Sequence, residues 1–331
     1  KYSEKRGVRR TEGLIEDANI NAESGFIESL VLKDGKIIEG DFFIDCTGFR
    51  GLLIEKALGV PFTDWSDFLP MDSAIAVQTE AIEPPKPYTV ATAREAGWTW
   101  RIPLQNRVGN GHVYSSNFTD ESSATDLLLE NLDAEPITEP RLLKFQAGRR
   151  ESFWKANCLA LGLSSGFLEP LESTSIHLIQ DGLVRFIALM PDKSLNPANA
   201  TEYNRVIGLT YDRIRDFILM HYVATQRDDT EFWRYVRNLE LPETLQHRMT
   251  LLNKAGHYVD YEYDLFKLDS WLAVMEGQGL GPEIYNQVAD EMDAQQLEQT
   301  MKQIRHAISE ITRQMPTHQQ YIERVIGHSI P

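Results

Sequence analysis

Two short apolar segments that end on small residues constrain the fold of this chain most. Residues 41–48 read DFFIDCTG, and residues 156–163 read ANCLALGL. Runs that are apolar on both faces predict buried strands of a sheet that other elements cover. Helix-like segments follow both runs, and in an open α/β sheet ligands bind beyond the carboxyl ends of such strands. Taken alone, each strand-loop-helix unit is also compatible with an ordinary tight turn.

The remaining pattern predicts a mixed α/β (α+β) fold. Alternating apolar and polar residues, separated by turn signals, predict further strands in residues 13–40 and 70–118. Beyond residue 198 the pattern predicts helices throughout, including a long one within residues 284–314. A sheet-containing part is therefore expected to precede a mainly helical part.

Composition limits the classes of function. The 331 residues carry 49 acidic and 33 basic side chains, and this net charge of −16 is unsuited to binding nucleic acid or an anionic membrane surface. No apolar run approaches the roughly 18 residues of a membrane span. Cys46 and Cys158 lie in apolar runs, where free thiols pack as small hydrophobic groups. A reducing, cytoplasmic location is therefore expected.

Residues 166–177, GFLEPLESTSIH, hold two carboxylates and no lysine or arginine. Glu169 precedes a proline, which favours an extended backbone, and Glu172 precedes a predicted helix. Ser173 or Thr174 is the natural cap of that helix, and the next backbone N–H groups are then available to an anion. Glu172 can therefore act as a base beside an anion site, or it can complete a helix cap.

Two further features allow both a functional and a structural interpretation, whereas the histidines indicate no site. Trp98 and Trp100 are two residues apart on a predicted strand, so their indoles either screen a planar cofactor from water or pack in the core. The aromatic segment 258–271 either lines a pocket for a planar substrate or packs between elements. The histidines lack metal-ligand spacing, so no metal site is predicted.

Four elements occur in an order and at separations that are typical of one enzyme family. They are DFFIDCTGFRGLLI, GWTWRIP, GLSSGFLEPLEST and HYVATQRDDTEFW. Together they resemble the flavin-dependent tryptophan halogenases, from Lys1 to about Trp271. The Trp-x-Trp-x-Ile-Pro element at Trp98–Pro103 is a specific signal, because it separates this family from the flavin monooxygenases whose fold it shares.

The resemblance implies a flavin-monooxygenase-like FAD module, of which residues 1–190 are the remainder, and a helical substrate module in residues 191–331. In the family, reduced FAD reacts with O2 and chloride or bromide to give hypohalous acid. This acid passes through a tunnel to an essential lysine and then halogenates the arene. The implied partners are a small aromatic substrate and a separate flavin reductase, and a homodimer is expected at the level of the family.

The resemblance also assigns roles to single residues. Glu172 matches the carboxylate that orients the halogenating species or takes the ring proton, and Ser173 matches a neighbouring hydroxyl. Thr174 and Ser175 match the halide site, which backbone N–H groups form at a helix start. The positions implied to border or shield the flavin are Thr47, Gly48, Gly162, Leu163, Ile176, Trp98 and Trp100.

The sequence departs from the family pattern in the substrate region and in one turn. Phe266 and Trp271 are the implied substrate contacts besides Glu172, but their segment lacks the Phe-Trp and Asn-Tyr-Tyr pattern of enzymes that clamp free tryptophan. Indole or another electron-rich arene is therefore expected as well as tryptophan. Ser175 replaces the glycine that commonly follows Glu-Ser-Thr, which makes the local backbone less free.

Two further family features are missing from the sequence. It contains neither G-x-G-x-x-G nor the essential lysine in its family context, and it starts at Lys1 without an initiator methionine. We therefore expect an N-terminally truncated fragment that is inactive alone. An aromatic hydroxylase and a non-catalytic flavin-binding protein are the alternative functions.

Overall fold

A computed structural model describes residues 1–325 and shows the mixed α/β fold that the sequence predicts. From residue 197 to residue 325 every regular element is helical, as predicted. The strands are β1 (Ile15–Ile20), β2 (Ile27–Leu32), β3 (Ile37–Glu39), β4 (Phe43–Asp45), β5 (Phe62–Asp64), β6 (Ser73–Thr79), β7 (Val90–Arg94), β8 (Gly97–Pro103), β9 (Val108–Tyr114), β10 (Arg141–Lys144), β11 (Gly148–Arg150), β12 (Trp154–Lys155), β13 (Cys158–Ala160) and β14 (Gly166–Phe167). The helices are α1 (Glu121–Glu130), α2 (Ser175–Ala188), α3 (Pro197–Val223), α4 (Glu231–Arg237), α5 (Glu243–Ala255), α6 (Leu268–Gly277), α7 (Ala294–Gln314) and α8 (His318–Val325).

The chain packs into two compact units, each assembled from separated stretches of sequence. The assignment of residues 1–190 to flavin binding and 191–331 to substrate binding remains a prediction, because compactness does not identify a ligand. Unit 1 consists of Lys1–Trp65, Gln146–Arg215 and Glu262–Leu265, and unit 2 of Ser66–Phe145, Asp216–Tyr261 and the described part of Phe266–Pro331.

In unit 1, strands β1, β2 and β3 form the antiparallel meander that the turn signals predict. Gly25 and Gly35 adopt φ values of +72° and +84° in the two connecting turns, a conformation that glycine reaches without strain. The side chain of Asn21 accepts hydrogen bonds from the N–H groups of Glu23 and Ser24, which fixes the first turn.

A second sheet of unit 1 places β13 between β12 and β4. Strands β13 and β4 run parallel, with Leu159 opposite Ile44. All three residues of β13 are buried, as predicted. β4 is buried on only one face, because Ile44 is 45% exposed and borders a groove of about 870 Å³. The prediction that both faces are covered is therefore wrong for β4 within the described residues.

A short return segment, residues 262–265, closes unit 1. The Arg205 guanidinium donates a hydrogen bond of 3.1 Å to the Tyr263 hydroxyl. The Arg185 guanidinium lies 4.9 Å from the centre of the same ring. Tyr263 therefore joins α2 to α3 although it follows both of them in the sequence.

Unit 2 contains a five-stranded antiparallel sheet in the order β10, β6, β9, β8, β7. Helix α1 covers one face, where Ile75, Val77, Tyr114, Ala124 and Leu128 form a buried apolar cluster. The carboxylate of the preceding residue, Asp120, caps α1 by accepting a hydrogen bond of 2.9 Å from the Ser123 N–H.

The two cysteines differ in exposure, so the prediction that both pack as small hydrophobic groups holds for only one of them. Cys158 is fully buried, as predicted, whereas Cys46 is exposed, because it follows β4 at the open end of the sheet.

Among the helices of residues 1–325, none combines the length and the apolar character that crossing a bilayer requires.

Candidate active site

The two strand ends singled out in the sequence lie side by side in unit 1. Strands β4 and β13 pair in parallel, so the turns that follow them emerge at the same edge of the sheet. Short 3₁₀ helices, Gly48–Arg50 and Gly162–Ser164, continue these turns and contact each other. The structure thus brings together Thr47, Gly48, Gly162 and Leu163.

A buried carboxylate fixes the first of these turns. The Asp45 side chain accepts hydrogen bonds from the Thr47 N–H at 2.9 Å and the Thr47 hydroxyl at 2.7 Å. It also accepts from the N–H groups of Leu53 and Ile54, at 2.8 and 2.9 Å, at the start of the π-helical segment Leu52–Ala57. Asp45 is 0% exposed, and four donors stabilise its buried oxygens.

Two side chains link the second turn to the first. The Ser164 hydroxyl donates a hydrogen bond to the backbone carbonyl of Asp45. Arg150 is buried and donates from Nε to the backbone carbonyl of Ser164 at 3.1 Å, and its Nη2 pairs with Glu55. Burial opposes ionisation of Glu55, but the hydrogen bond from Arg150 lowers the pKa of its carboxyl below the ordinary value. The two turns are therefore held in one fixed arrangement.

The edge formed by these turns fits a planar apolar group such as the flavin ring. Gly48 and Gly162 have φ values of +72° and +71°, and a Cβ at Gly48 would meet no atom within 4 Å. The backbone is therefore open to close approach by a ligand. Leu163 and Ile176 are 39% and 69% exposed, which leaves apolar surface available for contact.

The segment that carries the candidate catalytic carboxylate has an unusual backbone. Glu172 and Ser173 are consecutive non-glycine residues with φ values of +67° and +54°. This left-handed region costs most residues about 1 kcal/mol or more, and such outliers concentrate at functional sites. Both side chains are exposed, whereas Glu169 is 1% and Thr174 3% exposed. The buried neighbours hold the strained pair, and Glu172 is presented at the surface of unit 1.

The helix that follows this turn starts without a side-chain cap. Thr174 occupies the N-cap position of α2, with φ −81° and ψ −11°, and its side chain makes no capping hydrogen bond. The prediction that Ser173 or Thr174 caps α2 through its side chain is therefore wrong, because Thr174 is already in the right-handed helical region. No capping side chain occupies the first N–H groups of α2, which are suited to an anion.

The serine at position 175 is compatible with this geometry. Ser175 is the first residue of α2, and the left-handed residues are Glu172 and Ser173. A glycine at position 175 is thus not needed for the backbone conformation seen here. The departure from the family pattern at this position leaves the predicted halide turn intact.

In unit 2, Trp98 and Trp100 lie on one face of β8, the face opposite α1. Their ring centroids are 6.1 Å apart, with an angle of 56° between the planes. A Cβ at Gly111, directly across the ladder from Trp100, would lie 2.1 Å from Cζ2 of that indole. Trp98 is 6% exposed and Trp100 is half-buried. On β6, β7 and β9 the other residues in the same two rows are small or short: Ala74, Ala76, Ala91, Ala93 and Val113. On β10 the two rows end at Leu143 and Arg141.

The two implied substrate residues of unit 2 differ in exposure. Trp271 is 1% exposed, and the Arg248 guanidinium lies 4.3 Å from the centre of its ring. Phe266 is half-buried and stacks on Phe217 with ring centroids 3.9 Å apart. The Trp271 indole N–H donates to the backbone carbonyl of Phe266 at 3.3 Å. Trp271 thus belongs to an aromatic core, and Phe266 is the more accessible of the two.

Comparison with known proteins decides the family. The model of the tryptophan halogenase family matches residues 1–294. The chain belongs to the tryptophan halogenase family. It is 38% identical over 301 residues to tryptophan 7-halogenase RebH from Lentzea aerocolonigenes, an alignment that covers 85% of this chain and 56% of that protein. It therefore spans about half the length of this curated relative.

Solved halogenase structures share the fold of the chain. Xcc4156, a flavin-dependent halogenase from Xanthomonas campestris, superposes with a TM-score of 0.95 at 48% identity, covering 98% of this chain and 65% of that one. BrvH, a flavin-dependent halogenase from Brevundimonas sp. BAL3, superposes with a TM-score of 0.93 at 43% identity, covering 97% and 66%.

Several residues that shape the strand ends of unit 1 or the tryptophan face of unit 2 were not found by the sequence analysis. Asp45 could have been found from its place directly before the small-residue turn, where a carboxylate can accept from the following N–H groups. Arg150 and Glu55 are 95 residues apart, so no local pattern joins them. Gly111 gave no signal, because its role depends on the indole of another strand.

Proposed function

We propose that this chain carries the carboxylate and the halide-binding turn of a flavin-dependent halogenase. The reaction is chlorination or bromination of an electron-rich arene. The observation that supports it most is the strained, exposed pair Glu172–Ser173 directly before the uncapped start of α2. A base and an anion site within one short turn are what an electrophilic halogenation requires.

Glu172 is the proposed catalytic base. Attack of an electrophilic halogen on an arene gives a ring cation, which loses a proton as the C–Cl or C–Br bond is completed. A carboxylate next to the ring stabilises that cation and accepts the proton. The hydroxyl of Ser173, the next residue, donates a hydrogen bond that orients the halogenating agent.

The backbone N–H groups of Thr174 and Ser175 are the proposed halide site. A helix start offers N–H groups and the positive end of the helix dipole to an anion. Because the contact is made by the backbone, it discriminates weakly between chloride and bromide. Either halide is therefore an expected co-substrate.

The proposed flavin site uses the residues at the two strand ends. Thr47, Gly48, Gly162 and Leu163 border the ring at this edge, and Ile176 contributes apolar surface. When bound, the reduced flavin of FAD supplies, with O2, the two-electron oxidation that turns halide into a halogenating agent. Trp98 and Trp100 are proposed to shield the flavin and so to prevent hydroxylation of the substrate. A separate reductase provides the reduced flavin.

The proposed substrate is tryptophan or a free indole. Two relatives that are tryptophan halogenases support this class: RebH is a tryptophan 7-halogenase, and SttH from Streptomyces toxytricini, 40% identical over 253 residues, is a tryptophan 6-halogenase. Phe266 is the proposed aromatic contact, with Trp271 behind it. A planar, electron-rich ring suits an aromatic wall of this kind.

The test uses the intact protein with FAD, a flavin reductase, O2 and either chloride or bromide. Tryptophan, indole and a phenol are offered as substrates, and the products are identified by mass. We expect a halogenated arene that disappears when halide is omitted. Hydroxylated arene without any halogenated product would show that the proposal is wrong and would favour an aromatic monooxygenase.

A further inference from the structure

The turn that follows β13 is held from behind by a short chain of hydrogen bonds that begins on α3. The Tyr211 hydroxyl lies 3.0 Å from the Ser165 hydroxyl, which lies 2.6 Å from the backbone carbonyl oxygen of Gly162. All three residues belong to unit 1, and both side chains are buried. Neither side chain takes part in the proposed reaction, although both lie directly behind the proposed flavin edge.

The chemistry of the three oxygen atoms fixes the direction of this chain. A carbonyl oxygen carries no hydrogen, so the hydrogen between Ser165 and Gly162 belongs to the serine. Because a hydroxyl has only one hydrogen, Ser165 is the acceptor in its contact with Tyr211. Burial raises the pKa of the Tyr211 hydroxyl to about 12, so this group keeps its proton at neutral pH. Tyr211 therefore donates to Ser165, and Ser165 donates to Gly162.

The ring that carries the first donor is itself held in place. Tyr211 stacks on Phe153 with ring centroids 5.2 Å apart and an angle of 24° between the planes. The backbone N–H of Phe153 donates a hydrogen bond of 2.8 Å to the side chain of Asn204, which lies on α3 as Tyr211 does. A buried, stacked ring has few alternative positions. The Tyr211 hydroxyl is thus a donor in a fixed place.

The last link of the chain sets the orientation of one peptide bond. The Gly162 carbonyl oxygen accepts from the Ser165 N–H at 3.0 Å and from the Ser165 hydroxyl at 2.6 Å, which uses both of its lone pairs. The peptide bond from Gly162 to Leu163 is planar and trans, so its N–H points away from this carbonyl. Ser165 therefore holds the Leu163 N–H on the side of the turn that faces away from the buried hydroxyls.

This peptide needs an external restraint, because one of its residues is a glycine with φ +71°. Glycine has more accessible backbone states than any other residue, so its own conformation does not fix the turn. In a chain of hydrogen bonds each bond polarises the next, so donation by Tyr211 strengthens the bond from Ser165 to Gly162.

We propose that Tyr211 is a positioning residue for the flavin, which acts through Ser165 on the peptide between Gly162 and Leu163. The inference rests on the proposed flavin site at this edge. Tyr211 does not touch the ring; it holds the turn in its binding shape before the flavin arrives. Without this hydroxyl, Ser165 can rotate away from Gly162, and the peptide has to be ordered again on binding. That ordering costs affinity.

The first test compares FAD binding by the intact protein and by its Tyr211→Phe variant. The dissociation constant of oxidised FAD is measured by titration of flavin fluorescence, which does not depend on halogenation. We expect the variant to bind FAD about 10-fold more weakly, which corresponds to the net worth of about one hydrogen bond. Phenylalanine keeps the stacked ring, so the circular dichroism spectrum is expected to stay the same.

Tyr203→Phe is the matched control, because it removes the same atom from another buried tyrosine about two turns earlier on α3. Tyr203 packs edge-on against Trp154, with ring centroids 5.8 Å apart, and its hydroxyl lies beside Gly182 of α2. We expect this variant to bind FAD as tightly as the wild type. A general loss of stability would weaken binding in both variants, whereas a loss of positioning affects Tyr211→Phe alone.

The second test asks whether the tyrosine acts through the serine. Ser165→Ala removes the middle of the chain and is expected to weaken FAD binding at least as much as Tyr211→Phe does. In the Ser165→Ala background, Tyr211→Phe is then expected to cause no further weakening. Independent effects would instead multiply the two losses.

Three results would overturn the proposal. Equal FAD affinity of the wild type and Tyr211→Phe would exclude a positioning role while leaving the flavin site itself in place. Multiplied losses in the double variant would exclude a path through Ser165. A wild type that binds no FAD would show that the proposed flavin site is wrong, and this inference would fall with it. Because no product is measured, a failure of the proposed halogenation has no influence on these outcomes.

Discussion

Unit 1 contains two kinds of left-handed turn, and they differ in the residues that form them. At the strand ends the positive φ values belong to glycines, Gly48 and Gly162, and a network around a buried carboxylate fixes the backbone. Before α2 the positive φ values belong to Glu172 and Ser173, whose side chains are exposed. The first kind adopts its shape without strain, whereas the second holds the proposed catalytic side chains in a conformation that glycine would adopt more easily.

The two kinds of turn meet different requirements, because one only has to leave room for a ligand and the other is proposed to present reactive side chains. A turn that only has to let a ligand approach gains from having no side chain. A turn that has to present a base or a hydroxyl cannot use glycine, so the strain remains and the buried flanks hold it. Exchanging the residue at each kind of turn for the type found at the other is therefore expected to change the free energy of unfolding in opposite directions.

The largest expected effect is the loss of the base. Glu172→Gln keeps the size of the side chain and removes its charge, so halogenation by the intact enzyme is expected to fall about 100-fold or more. The midpoint of thermal unfolding is expected to stay the same, because the side chain is exposed. Glu16→Gln, also at an exposed position, serves as the control. Unchanged turnover by Glu172→Gln would remove this residue from the mechanism.

The next effect concerns the carboxylate that shapes the glycine turns. Asp45→Asn replaces one acceptor oxygen by an N–H donor that faces other donors, so the free energy of unfolding is expected to fall by about 2 kcal/mol. Chemical denaturation measures the change. Asp34→Asn is the matched control, since Asp34 is exposed and an amide oxygen can still accept from the Lys36 N–H. Equal stability of the two variants would contradict the role given to Asp45.

A smaller pair of effects with opposite signs tests the comparison directly. Ser173→Gly relieves left-handed strain and is expected to raise the free energy of unfolding by up to about 1 kcal/mol, while halogenation falls. Gly162→Ala introduces strain at φ +71°, although its Cβ would lie at an ordinary contact distance of 3.6 Å from Ile179. It is expected to destabilise by about 1 kcal/mol. Effects of the same sign would show that the two turns do not differ in kind.

The smallest effect is a dependence on pH at the link between the strand ends. The hydrogen bond from Arg150 depresses the pKa of Glu55, so this pair stabilises the fold above the ordinary glutamate pKa of about 4.3 and loses its contribution as pH falls through the depressed value. Below that pH, the midpoint of thermal unfolding is expected to fall further for the wild type than for the Glu55→Gln variant. If stability falls equally with pH in both proteins, the Arg150–Glu55 pair contributes nothing. Solvent then screens the pair, because Glu55 is partly exposed.

The sequence predicted the parts of the site that are local. The strand ends, the shared face of Trp98 and Trp100, and the start of α2 follow from periodicity and from the properties of small residues. The assignment of catalytic and halide roles rests on the resemblance and stays a prediction.

What the sequence did not predict depends on distant residues or on backbone geometry. The missing side-chain cap of α2 reflects the right-handed backbone of Thr174, which residue type alone does not determine. Exposure of Ile44 could not be foreseen, because an apolar run gives no information about which face is covered. The link from Arg150 to Glu55 joins residues that only the fold brings together.

Closure of unit 1 by Tyr263 has a consequence for synthesis of the chain. The unit that holds Glu172 needs residues 262–265, yet the unit 2 stretch Asp216–Tyr261 separates them from the preceding stretch of unit 1, which ends at Arg215. A ribosome must therefore release more than ninety residues after Glu172 before this unit can make all its contacts. Contacts of such long sequence separation form slowly, so the nascent chain exposes apolar surface meanwhile and is prone to aggregate. Slow codons far enough beyond position 265 for residues 262–265 to have left the ribosome exit tunnel are then expected to raise the yield of folded protein.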